Sequence, residues 1–109
     1  MAHAQKQRRA PTERPKEILE AALDLFPHRD APLRILDLGT GTGCLLLAVL
    51  SERPNAFGVG ADLIPTAAAL AARNAQDLGF SGRAAFVAGD WAAALSARFD
   101  LVLSNPPYI

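Results

Sequence analysis

The sequence predicts an α/β fold in which four strands form a mainly parallel sheet with flanking helices. Three observations predict it. Short apolar runs alternate with segments of helical period along the 109 residues. The first run, Leu33 to Leu38, is apolar except at Arg34 and Asp37, as expected of a strand covered on both faces. A turn with glycine at 39, 41 and 43 then joins that run to an apolar segment of helical length, Leu45 to Leu50. Strand, glycine turn and helix in that order open a crossover unit.

The elements follow from local signals. Residues 1–16 carry Gln, Lys, Arg and two prolines with little to bury, and read as a flexible N-terminal arm. The remainder, 17–109, reads as one domain. Ile18, Leu19, Ala22, Leu25 and Phe26 recur at helical spacing, with Pro15 placed to open the helix and Pro27 to close it. The helix after the glycine turn runs to about Glu52, where Arg53-Pro54-Asn55 breaks it. Ala56 to Ala61 is a second strand ending at Asp62. Pro65 opens an alanine-rich helix to about Leu78, and Gly79 stands at its stop. Ala84 to Ala88 is a third strand, followed by Gly89-Asp90-Trp91 and a helical turn over 92–97. Phe99 to Ser104 is the fourth strand, and Asn105-Pro106-Pro107-Tyr108-Ile109 ends the sequence.

Composition bounds the function. Half the residues are hydrophobic and the mean hydropathy is +0.14, so the chain has the material for a core. A net charge of zero argues against a surface built to neutralise many phosphates. A single cysteine excludes an internal disulfide and a cysteine-built zinc site, and fits a reducing cytoplasm. No apolar run is long enough to span a bilayer, and the start lacks the apolar stretch of a secretory signal. His3 and His28 have no partner visible in sequence, and no metal site is expected.

Asp37, Asp62, Asp90 and Asn105 all fall at or near the carboxyl end of an expected strand. Ligands of open α/β sheets bind at that edge. The spacing Gly39-x-Gly41-x-Gly43 is tighter than a dinucleotide fingerprint, and no lysine follows to make a phosphate loop. Glycine turns also serve plain strand–helix packing. An acid two residues before the first glycine suits a cationic ligand better than a pyrophosphate. Asp62 stands where an acid accepts ribose hydroxyls, or where it would cap the Pro65 helix. Asp90-Trp91 offers a carboxylate for an exocyclic amine and an aromatic surface for a base, or else a buried tryptophan beside a cap. Asn105-Pro106-Pro107-Tyr108 is the sharpest signal. Two prolines fix the backbone and remove two donors, leaving carbonyls free to join the asparagine oxygen around one amino group, with Tyr108 as a wall.

Asp37-Leu38-Gly39-Thr40-Gly41-Thr42-Gly43, Asp62, Asp90 and the Asn-Pro-Pro-Tyr corner together resemble class I S-adenosylmethionine-dependent methyltransferases, which have a Rossmann-like fold. Cys44, Gly89-Asp90-Trp91 and Ser104 to Ile109 are similar to one branch, the HemK/PrmC protein-(glutamine-N5) methyltransferases of peptide-chain release factors. The resemblance covers about residues 14 to 109. Arg14-Pro15 resembles the start of that branch's Arg-Pro-Glu-Thr-Glu segment, but Lys16-Glu17-Ile18 departs from the rest. It implies S-adenosyl-L-methionine as cofactor, held by Asp37, Gly39, Thr40, Gly41, Gly43, Asp62, Asp90 and Trp91. It implies a release factor as substrate, its glutamine amide gripped by Asn105, Pro106, Pro107 and Tyr108, with Asn105, Pro106 and Tyr108 at the reaction. No membrane partner is implied, and nucleic acid is not the expected substrate.

The resembling enzymes have seven strands, so four would be the first part of the sheet. The expectation is a fragment, a truncated product or half of an assembly, with little or no turnover alone. Strand Phe99–Ser104 would then bare an apolar edge, Leu101-Val102-Leu103, prone to pairing with a partner or with itself. Two rival readings fit parts of the sequence. One is a methyltransferase acting on adenine-N6 or guanine-N2 of a nucleic acid, whose base would meet the same amine grip. The other is a non-catalytic, cofactor-binding or structural remnant.

Overall fold

In the computed structural model, residues 2–4, 14–91, 95 and 98–104 are described. Among these described residues, five strands, all parallel, lie in the order β1-β5-β2-β3-β4. They are β1 (Ala2–Ala4), β2 (Arg34–Leu38), β3 (Phe57–Asp62), β4 (Ala84–Ala88) and β5 (Leu101–Ser104). The helices are α1 (Arg14–Leu25), α2 (Cys44–Glu52) and α3 (Pro65–Asp77). From β2 the chain steps outward to β3 and β4, then returns to lay β5 on the other side of β2. The order therefore reverses at β2, and a crevice opens at the carboxyl end of the strands there.

Two expectations are corrected. Residues 1–16 are not simply an arm: Ala2–Ala4 forms a strand and α1 begins at Arg14. The outer edge of β5 is consequently not bare. Ala2, His3 and Ala4 pair with Leu101, Val102 and Leu103, and all three β5 residues are fully buried. Backbone pairing needs no particular side chains, so a three-residue strand carries little signal in its own sequence.

The core explains why the other elements form where they do. α2 is apolar nearly all round because it packs against α1, α3, β2 and β3, and Leu45, Leu46, Leu47, Val49 and Leu50 are all buried. Ile18 and Ala22 of α1 join Leu46, Leu50, Ile35, Leu101 and Leu103 in one cluster. α3 buries Ala68, Ala71 and Ala75, small residues that let it approach the sheet closely. It ends as the glycine foretold: Gly79 has φ +84°, its N–H reaches the Gln76 carbonyl, and the Phe80 N–H reaches Ala75.

At the amino end of the strands, arginines tie off the helices. Arg53 is buried and donates to the carbonyls of Phe26, Glu52 and Leu23 at 2.9, 2.7 and 3.2 Å. Arg83 lies over the Phe80 ring and donates to the carbonyls of Arg53, Ala56 and Leu50. Both guanidiniums meet helix carboxyl ends, where unpaired carbonyls and the helix dipole favour positive charge. Arg53→Met removes a charged donor from three carbonyls. It is expected to lower stability by about 2–4 kcal/mol in urea unfolding, with Arg53→Lys recovering only part of the loss.

Candidate functional site

The site is built on the turn that leaves β2. Gly39 and Thr40 both donate their N–H groups to the Ala61 carbonyl of β3, at 2.8 and 3.0 Å. Gly43 donates to the Thr40 carbonyl at 2.8 Å. Gly39, Gly41 and Gly43 have φ of +71°, +55° and +81°, a backbone that side-chain-bearing residues adopt at a cost. Gly43 has a packing reason as well. A Cβ there would stand 3.1 Å from the Ala71 Cβ and 3.3 Å from the Phe86 ring.

Asp37 and Asp62 flank this loop. Asp37 is 1% exposed, and Oδ2 accepts the Thr40 hydroxyl at 2.9 Å. Burial raises its carboxyl from 3.8 to about 7, against the lowering effect of the Thr40 bond and with a smaller push from the Asp62 charge. Asp62 ends β3 half-buried. One carboxylate oxygen accepts the Gly41 N–H at 2.9 Å and the other the Ile64 N–H at 3.0 Å. It therefore fastens the loop and shapes the approach to α3, and both oxygens keep lone pairs for further donors.

Two hollows meet at the loop, sharing Gly39 and Gly41 in their linings. The larger, about 580 Å³, is bounded also by Leu38, Asp62, Leu63, Ile64, Asp90 and Trp91. Trp91 is half-exposed, folds back over Gly89 and donates its indole N–H to the Ala88 carbonyl at 2.9 Å. The smaller, about 280 Å³, has Asp37, Thr40, Thr42 and Cys44 in its wall, with Pro15 of α1 across from them. One elongated ligand can thus lie over the glycines, with a planar apolar part against Trp91 and a polar end toward Asp37.

The fold brings together Asp37, Gly39, Thr40, Gly41, Asp62, Asp90 and Trp91 around these hollows. Gly43 is buried behind them, against α3 and β4. The corner Asn105-Pro106-Pro107-Tyr108 lies outside the described residues, as does most of the helical turn expected over 92–97.

A family model described as a methyltransferase domain matches residues 29–107. The chain belongs to that family. A release factor glutamine methyltransferase of Rhodospirillum rubrum is 60% identical over 76 residues, which is 70% of this chain and 23% of that protein. A second, of Bradyrhizobium diazoefficiens, is 51% identical over 94 residues, 84% of this chain and 32% of that protein. The chain thus spans no more than a third of these relatives' length, 23% of one and 32% of the other. Among solved structures, an RNA methyltransferase of Salinibacter ruber in complex with S-adenosyl-L-homocysteine superposes with a TM-score of 0.70. It is 27% identical and covers 84% of this chain and 60% of its own.

Membership of the methyltransferase-domain family agrees with the Rossmann-like fold read from the sequence. Sequence reasoning missed Leu63 and Ile64, large apolar residues that are 71% and 58% exposed on the wall of the larger hollow. A signal existed: they sit in a loop, between an acid ending a strand and the proline opening a helix. Apolar residues are usually assigned to a core by default, and here they face a cavity instead.

Asp37 holds its proton to about pH 7 when folded and to 3.8 when unfolded. The folded chain binds that proton more tightly, so the stability it contributes is full below about pH 4 and lost as the pH rises through 7. Asp37→Asn keeps an acceptor for the Thr40 hydroxyl and removes the titration. Without ligand, the variant is expected to exceed the parent in stability at pH 8 by roughly 2–4 kcal/mol, and to match it near pH 4. Denaturant unfolding across that range reads the difference.

Proposed function

We propose that this chain is the cofactor-binding part of an S-adenosyl-L-methionine-dependent methyltransferase that methylates the side-chain amide of glutamine in a peptide-chain release factor, working in the cytoplasm. The observation that carries the reading is the glycine loop, with one acid on each side and a hollow beyond each acid. The names of the two relatives given above supply the acceptor. The donor set fits the cofactor: a carboxylate with free lone pairs for ribose hydroxyls, an apolar wall for a base and a buried acid for a cation.

In this reading Asp62 accepts from the ribose hydroxyls while it still fastens Gly41. Leu63, Ile64 and Trp91 enclose the adenine, and Asp90 accepts from its amino group. The open glycines 39 and 41 let the ligand lie against the backbone, since nothing stands within 4 Å of where their Cβ atoms would be. Asp37 faces the methionine ammonium. A cation arriving there favours the ionised acid, so cofactor affinity rises with pH toward 7 as Asp37 loses its proton.

When bound, S-adenosylmethionine supplies an electrophilic methyl group on a sulfonium. An amide nitrogen is a poor nucleophile because its lone pair is delocalised into the carbonyl, so what the protein contributes is alignment. By the resemblance, Asn105 and the Pro106 carbonyl would accept from the amide N–H groups, with Pro107 and Tyr108 completing the grip. Acceptors on those hydrogens favour the positive charge that grows on nitrogen in the transition state.

Titration with S-adenosylmethionine, read through Trp91, the chain's single tryptophan, tests the cofactor assignment. Saturable quenching is expected, with affinity at least about tenfold weaker in Asp62→Ala, the cost of losing one charged hydrogen-bonding partner. No response in fluorescence or calorimetry would overturn it. For the acceptor, a release-factor domain and an RNA are each incubated with the chain and cofactor at stoichiometric amounts and analysed by mass spectrometry. At most a trace of product is expected from a chain with little or no turnover alone, and the methyl group should lie on glutamine. A methylated adenine or guanine would replace that acceptor with a nucleic acid.

A further inference from the structure

We propose that Asn74, on α3, is a positioning residue for the cofactor loop: it locks the peptide between Thr42 and Gly43 in the orientation that binds ligand. The proposal deepens the cofactor reading above and rests on it. Asn74 is half-buried, and its side-chain N–H donates to the Thr42 carbonyl at 2.8 Å, across 32 residues of sequence. It stands one helical turn beyond Ala71, whose Cβ backs Gly43. Among the described residues, it is the α3 side chain that hydrogen-bonds the loop.

The geometry gives this one bond leverage. The Thr42 carbonyl and the Gly43 N–H belong to the same planar peptide unit and point in opposite directions. Asn74 holds the carbonyl and the Thr40 carbonyl holds the N–H, at 2.8 Å each. Gly43 makes rotation of this unit easy, since its φ is one of the two angles that turn the unit and glycine tolerates either sign. Rotation would break both bonds together. It would also free the carbonyl of Thr40, the residue whose hydroxyl is tied to Asp37 in the wall of the smaller hollow. A chain of contacts thus runs from α3 through the loop to the buried acid.

The test combines two readouts on the full chain. Amide hydrogen exchange at Gly43, followed by NMR, reports the lock directly. Calorimetry with S-adenosylhomocysteine, well below the melting temperature, reports its consequence. Asn74→Ala is expected to speed Gly43 exchange and weaken binding, each about tenfold, while amides within α3 keep their protection. Asn74→Asp, which when ionised cannot donate and repels the carbonyl, is expected to be weaker still at pH 8. Its affinity relative to the parent should recover toward pH 4 as the carboxyl regains a proton to donate. Unchanged Gly43 exchange in both variants would overturn the lock, and so would loss of protection shared equally by α3. Faster exchange with undiminished affinity would overturn the link to the cofactor. A parent chain that takes up no S-adenosylhomocysteine would overturn the cofactor reading and the affinity half of the proposal, while Gly43 exchange would still decide the lock.

Discussion

Gly39 and Thr40 both give their N–H groups to the Ala61 carbonyl, and this shared acceptor turns the chain off β2 while keeping it fastened to β3. The rest of the site depends on that turn. It puts the Thr40 hydroxyl over Asp37, so the acid can be buried with a partner. It brings Gly41 within reach of Asp62, so the acid ending the next strand braces the loop from the other side. An exposed loop with three glycines would be soft by itself, because each glycine gives up a large conformational entropy when it is fixed. Here β2, β3 and α3 each hold it at a different atom. The shape of the loop is therefore a property of the assembled sheet rather than of the motif.

Much of this was legible in the sequence because the signals are local. The run Leu33–Leu38, the alternating glycines, Pro65 and Gly79 each mark an element through the behaviour of a single residue type. Asp37, Asp62 and Asp90 could be gathered at one edge without coordinates, because all strands of a parallel sheet end on the same side. What could not be read rests on contacts between distant residues. Ala2-His3-Ala4 has no apolar pattern, and becomes a strand only because the edge of β5 is available to it. Its presence changes that edge from an exposed hazard to a paired one. Asn74 reads as an ordinary polar position on a helix until the fold sets Thr42 against it.

Two arginines and the three acids of the site stand at opposite ends of the parallel sheet, with Asp100 also at the amino end, where it accepts the Arg34 N–H. Arg53 and Arg83 gather at the amino ends of the strands, where they meet the carbonyls of α1 and α2. Asp37, Asp62 and Asp90 gather at the carboxyl ends. A parallel arrangement forces this because every crossover helix runs back against the strands and delivers its carboxyl end to the side where the next strand begins. Donors are needed there, and arginine supplies several from one side chain. The opposite edge is left free to be acidic, which suits a ligand carrying positive charge and hydroxyl donors.

Asp37 shows what that arrangement costs. An acid held at about pH 7 by burial works against the ionised folded state at neutral pH, and one neutral hydroxyl does not offset it. No other contact described for Asp37 repays the penalty. Stability alone would therefore favour asparagine or an apolar residue at this position. A cationic ligand reverses the balance, because it makes the ionised acid the favoured form and draws affinity from the same burial that weakens the empty chain. Thr40 is what keeps both states foldable: its hydroxyl donates to the carboxylate when the acid is ionised, and to the remaining carbonyl oxygen when it is protonated.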